Sequence, residues 1–119
     1  MGGEERYIPA APPGPRMVGG VLKWYAGDTF ELLVKLELTD ETGEDLLAVN
    51  ACTLDFVFRN ERNASVWQVT FGGIGGGEVV LRFDDTVTER FPKGRYRYDV
   101  VYNGAVRRTL VKDAPILVE

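Results

Sequence analysis

The chain has 119 residues, 45% of them apolar, with 14 basic and 18 acidic side chains, a formal charge of −4 and no histidine. A chain of this length makes one domain and buries roughly two-thirds of the surface its unfolded form exposes. With no histidine and only Cys52 as cysteine, it lacks the parts for a Ser-His-Asp triad, a Cys-His pair, an intrachain disulfide or the usual zinc-ligand sets. The acidic balance argues against general nucleic-acid binding, although local basic patches stay open. No run approaches the roughly 20 apolar residues that span a bilayer. Met1-Gly2-Gly3-Glu4-Glu5 places acid where a secretory signal carries base, and Pro9 to Pro15 stands where its apolar stretch belongs, so no export is expected.

Residues 1–19 contain Pro9, Pro12, Pro13, Pro15 and four glycines, which deny the segment both helix and a regular ladder. The expectation is an extended arm, stiffened towards polyproline II. Two readings stand: an arm laid along a neighbouring subunit and anchored by Tyr7, Ile8 and Met17, or a frayed terminus.

From Gly20 to Glu119 the apolar period is two, and the segment reads as one all-β domain. Val21 to Tyr25 opens the sheet. Phe30, Leu32, Val34, Leu36 and Leu38 alternate with Glu31, Leu33, Lys35, Glu37 and Thr39 in a long strand with one buried face. Leu54, Phe56 and Phe58; Trp67, Val69 and Phe71; Val79, Leu81 and Phe83; and Tyr96, Tyr98, Val100 and Tyr102 mark four more half-buried strands. Val106 to Val111 supplies a return strand and Ile116 to Val118 a closing one. Turn residues at Asp40 to Gly43, Asn60 to Asn63, Pro92 to Gly94 and Asn103-Gly104 separate them. About seven or eight short strands so spaced predict an immunoglobulin-like antiparallel β-sandwich. A single helical turn is expected over Asp85 to Arg90, capped by an acidic residue.

For the last hairpin, a type I turn over Tyr102-Asn103 with Gly104 as a left-handed bulge pairs Val100 with Val106, Tyr96 with Leu110 and Asp99 with Arg107. A two-residue type I′ turn over Asn103-Gly104 sets Val100 against Arg107 and mixes core with polar partners, so the bulged register is preferred.

Gly94-Arg95-Tyr96-Arg97-Tyr98 has the form of a tyrosine corner, in which the Tyr96 hydroxyl bonds backbone a few residues upstream and Tyr98 packs between the sheets. Gly72 to Gly77 lacks the helix and the Lys or Ser/Thr of a phosphate loop and reads as a flexible connection. Asp84, Asp85 and Glu89, and Asp40, Glu41, Glu44 and Asp45, lack EF-hand spacing and read as solvated acids, with Asp84 or Asp85 capping the helix. Arg95, Arg97, Arg107 and Arg108 fit either a cationic patch or a charged, protected edge. No metal, cofactor or catalytic residue is expected, and Cys52 reads as a small core residue. Trp24 and Tyr25 are adjacent in a strand, so one points outward; that ring is the best candidate for partner contact.

Leu22-Lys23-Trp24-Tyr25-Ala26-Gly27-Asp28-Thr29-Phe30, the long alternating strand, Leu54 to Arg59, and Phe91-Pro92-Lys93-Gly94-Arg95-Tyr96-Arg97-Tyr98-Asp99-Val100 together resemble the immunoglobulin-like N-terminal domain of phage baseplate upper proteins. The likeness covers about Gly20 to Glu119. It lacks the coiled-coil and receptor-binding regions that follow in the full family pattern. The resemblance implies a non-enzymatic structural protein of a tailed-phage or prophage particle: a baseplate or tail adaptor, a neck component or a head decoration. It would be made in the host cytoplasm and contact other virion proteins and copies of itself, with neither nucleic acid nor membrane as principal partner. Two other classes stay open: a carbohydrate-binding β-sandwich using Trp24 or Tyr25 as a stacking platform, and an intracellular β-sandwich enzyme that would have to work through carboxylates or a bound metal.

Overall fold

The computed structural model describes residues 15–39, 41–43, 52–72, 78–104 and 106–119. The strands are β1 (Arg16–Val18), β2 (Val21–Trp24), β3 (Phe30–Lys35), β4 (Thr53–Asn60), β5 (Ser65–Gly72), β6 (Glu78–Phe83), β7 (Gly94–Asn103) and β8 (Arg107–Val118), with one helical turn, α1 (Asp85–Thr88). They form a sandwich: a six-stranded sheet in the order β1-β2-β8-β7-β4-β5, and a two-stranded sheet of β3 and β6. Among the described strands the pairings are antiparallel except β2 with β8, which is parallel. The run β8-β7-β4-β5 corresponds to the central sheet of the immunoglobulin class, and β3 with β6 to the facing sheet.

Alternation decides the layers. Leu54, Phe56 and Phe58 on β4, Val79, Leu81 and Phe83 on β6, and Tyr96, Val100 and Tyr102 on β7 are buried, while their sequence neighbours face outward or are part-covered. The two inner faces meet in an aromatic cluster. Trp24 lies 5.2 Å from both Phe30 and Phe83 between ring centroids, and Phe83 lies 4.9 Å from Trp67. Phe91, from the α1–β7 connection, adds edge-on contacts to Trp24 and Phe58. Each such ring removed from water contributes roughly 1.5–3 kcal/mol, and favourable ring geometry adds to it. Cys52 is buried, as expected. Asp84 caps α1, its carboxylate accepting from the Val87 N–H at 3.0 Å.

The structure corrects the sequence reading in several places. The long strand expected from Phe30 to Thr39 ends at Lys35. Residues 16–18, expected in the arm, form β1 at the sheet edge. The return and closing strands of the C-terminus are a single strand, β8. The β7–β8 register is neither of the two weighed: Asn103 pairs with Arg107, Val100 with Val111, Tyr98 with Ala114 and Tyr96 with Ile116. Two irregularities, at Tyr98/Val100 and Val100/Val101, insert extra β8 residues. With this pairing Ile116 and Val118 are buried in the core, Leu110 and Val111 pack against it, and Val106 is exposed. Asp99 accordingly does not oppose Arg107, and Arg108 is exposed opposite Tyr102 rather than near the core. Pro115 is tolerated in β8 because β2 pairs only from Ile116 onward, leaving that side of the strand open.

Candidate functional site

The end of the six-stranded sheet where the chain enters carries a group of exposed apolar side chains. Gly19 and Gly20 have φ of +58° and +81°, and Val18 pairs directly with Val21. This is the geometry of a type I′ turn, which needs φ > 0 at both central residues and folds β1 back onto β2. Among the described residues β1 is thus the edge strand of the sheet, with Met17 64% exposed and Val18 also exposed. After β2, the Asp28 N–H donates to the Tyr25 carbonyl at 3.1 Å in a tight turn. Tyr25 stands out from it at 51% exposure. The Arg16 guanidinium lies 4.8 Å over the Tyr25 ring and bonds the Glu119 side chain, tying β1, β2 and the C-terminus together. A cation over an exposed ring contributes about 0.5–1 kcal/mol.

Of the two adjacent aromatics, Tyr25 is therefore the outward one. Trp24 is not a contact residue: it is fully buried, because β2 alternates Leu22 and Trp24 inward against Val21, Lys23 and Tyr25 outward. Its indole N–H has no hydrogen-bond partner among the described residues; the ring sits among Phe30, Phe83 and Phe91. Met17 is exposed on β1 but pairs with the inward-facing Leu22, so it lies on the opposite face of the sheet from Tyr25; Tyr7 and Ile8 lie outside the described residues.

The tyrosine corner forms as expected. The Tyr96 hydroxyl donates to the Pro92 carbonyl at 2.6 Å, and Gly94 between them takes φ +154°. Tyr98 stacks on Phe58 at 5.5 Å. Burial pushes both phenols above their ordinary pKa. Gly104 has a different role from the one expected. It is not left-handed, and a Cβ there would collide with the Tyr102 ring, which is buried. The loop is closed instead by the Gly104 N–H donating to the Val106 carbonyl at 3.0 Å.

Sequence reasoning missed the polar centre on the outer face of the large sheet. Asp99 is buried, and its carboxylate accepts from the Asp113 N–H at 2.7 Å and from Arg59, with the Lys112 ammonium at 3.8 Å. Asp113 takes φ +52°, so the bulge in β8 turns its N–H towards that carboxylate. Burial works against the charged form, but the Asp113 N–H, Arg59 and Lys112 outweigh it and hold the Asp99 carboxyl below its ordinary pKa. Beside it, Asp55 accepts from the Thr70 hydroxyl at 2.6 Å and the Asn103 amide at 2.8 Å. An acidic residue inside a strand of alternating pattern, facing a basic one on the strand that pairs beside it, is a signal that only strand order can reveal.

Two shallow grooves cross this outer face. One, of about 610 Å³, is lined by Lys23, Arg95 and Arg97 with Glu61 and Asp113; the other, of about 400 Å³, surrounds Arg59, Asp99 and Lys112. Carboxylates pair with Arg97 in the first and with Arg59 and Lys112 in the second. Arg97 donates to the Asn63 side chain at 2.8 Å and pairs with Asp113 at 3.5 Å. The four arginines do not make one patch, because Arg95 and Arg107 pair near opposite ends of the β7–β8 ladder. Among the described residues no three metal-ligating side chains cluster. Gly73 to Gly77, Asp40, Glu44 and Asp45 lie outside the described residues. Comparison with protein-family models, with curated proteins and with solved structures finds no match to this chain.

Proposed function

We propose that the chain is a non-enzymatic assembly module, a structural protein of a tailed-phage or prophage particle that binds its neighbours through its N-terminal segment and the adjoining sheet edge. The observation that carries the assembly reading is that, among the described residues, β1 is the edge strand of the large sheet, with Met17 and Val18 exposed on its two faces and Tyr25 exposed just after β2. An open edge flanked by apolar side chains is a template for strand addition or apolar docking. Symmetric copies in a particle would multiply a contact that is weak singly. The phage context is supported only by the sequence resemblance; on this reading the chain belongs to the virion and, during assembly, to the host cytoplasm. The carbohydrate-binding alternative is weakened: Trp24 is in the core, and Arg16 covers one face of Tyr25.

The test is immunodetection of the chain in density-purified particles from cells that carry its coding sequence, with the full chain and with one lacking residues 1–14. The full chain should co-purify with tailed particles and the shortened chain should be depleted from them. Recovery of the full chain only as free protein would overturn the particle reading. Equal incorporation of both chains would overturn the role of the N-terminal segment.

A further inference from the structure

The outer face of the two-stranded sheet carries a pattern of its own. Three consecutive outward positions on β3 are Glu31, Leu33 and Lys35, and register sets them directly opposite Arg82, Val80 and Glu78 on β6. Leu33 is 53% exposed and Val80 41%. The Arg82 Nε lies 3.4 Å from the Glu31 carboxylate, and the Lys35 Nζ 3.7 Å from that of Glu78. The face is therefore a two-by-three grid: an acid–base row, an apolar row, and a base–acid row in reversed order.

This order has a geometric consequence. Laying the grid face down on a copy of itself about a two-fold axis along the strands sets Glu31 against the copy's Arg82, Leu33 against its Val80, and Lys35 against its Glu78. Turning it instead about an axis across the strands sets Glu31 against the copy's Lys35, Arg82 against its Glu78, and each apolar residue against itself. Every facing charge is opposite in both arrangements, and an isologous contact makes each pairing twice. Had the two ion-pair rows run in the same order, the second arrangement would have opposed like charges. Both rotations also keep facing strands nearly aligned, as packed sheets prefer.

We propose that this face binds a second copy of the chain, as a two-fold symmetric contact centred on Leu33 and Val80 and rimmed by Glu31, Lys35, Glu78 and Arg82. This inference does not rest on the particle reading and uses the side of the sandwich formed by β3 and β6 rather than the β1 edge. Six residues are fewer than the roughly 20–30 per side of a stable interface, so the association is weak and concentration-dependent. Its charged rim makes it sensitive to salt, since the screening length falls from about 10 Å at 0.1 M to about 3 Å at 1 M.

Sedimentation equilibrium of the full chain up to about 1 mM, at low and high salt, tests the proposal, with circular dichroism confirming that each variant is folded. The wild-type chain should dimerise reversibly and more tightly at low salt. Arg82→Glu sets like charges together in either arrangement and should weaken the dimer at least about tenfold. Leu33→Lys, which places a charge at the centre, should abolish it. The exchanged pair Glu31→Arg with Arg82→Glu should restore the dimer to within about threefold of wild type if the axis runs along the strands. Glu78→Arg with Arg82→Glu should do so if the axis runs across them; each exchange worsens the other arrangement. A wild-type chain monomeric throughout, a dimer indifferent to Arg82→Glu, or a loss that neither exchange restores would overturn the proposal.

Discussion

Replacing Asp99 with asparagine should remove about 2 kcal/mol of stability at neutral pH, and that loss should disappear in acid. The substitution keeps the size of the side chain and an oxygen that can accept the Asp113 N–H, so what it removes is charge. In the wild-type chain the carboxylate bonds the Arg59 guanidinium, whose side chain is 28% exposed, and lies near the mostly solvated Lys112 ammonium. A hydrogen bond to a charged group contributes about 1.5–3 kcal/mol, and an exposed partner such as Lys112 adds little. A loss of about 2 kcal/mol lowers Tm by about 8 °C in a domain of this size. The pH dependence follows from the depressed pKa of Asp99 in the fold. Its contribution is fully present above the unfolded value of about 3.9 and is lost as pH falls through the folded value. Urea unfolding of both chains from pH 7 to pH 2 should show midpoints far apart at neutral pH and converging below about pH 4. Equal midpoints at pH 7, or a difference that persists unchanged to pH 2, would refute the assignment of Asp99 as the charged centre that clamps the β8 bulge.

Other outcomes follow from the same geometry. Tyr96→Phe should cost about 1–2 kcal/mol through the orphaned Pro92 carbonyl, read as a urea midpoint shift with an unchanged slope. The phenols of Tyr96 and Tyr98 are held protonated by burial. Their contribution should be complete below about pH 10 and fall as pH rises through the folded values, and Tyr98→Phe should flatten an alkaline stability profile. Trp24→Ala should cost about 3–5 kcal/mol and Tyr25→Ala under about 1 kcal/mol, a contrast that thermal melts resolve at once. Gly104→Ala should destabilise by about 1–3 kcal/mol, because its methyl group must displace the buried Tyr102 ring.

The strands were legible because a half-buried sheet imposes a strict period of two, as in Leu54-Asp55-Phe56-Val57-Phe58. The tyrosine corner was legible because its bond spans only four residues, from Tyr96 to Pro92. What the sequence left hidden lay in longer-range relations. Bulges carry no periodic signature, so the β7–β8 register needed the observed pairing of Tyr98 with Ala114. Gly19-Gly20 between Val18 and Val21 is a type I′ signature, obscured by reading those residues as the end of a proline-rich arm. The direction of Trp24 depends on which face of β2 meets Phe30 and Phe83, a fact of sheet packing rather than of local pattern. The candidate contact residues were accordingly readable as a pair of neighbours but not individually. Asp99 with Arg59, and Glu31 with Arg82, became visible only once the strand order was known.

Hydroxyl-radical footprinting of the free chain and of the chain within purified particles tests the claim of assembly through the β1 edge most directly. Met17 is an oxidation-prone probe, exposed on β1 as Tyr25 is after β2. Both residues should be strongly labelled in the free chain and protected several-fold in the particle, while Val106 at the far end of the β7–β8 hairpin serves as a reference. Equal labelling of Met17 and Tyr25 in the two states would contradict the account.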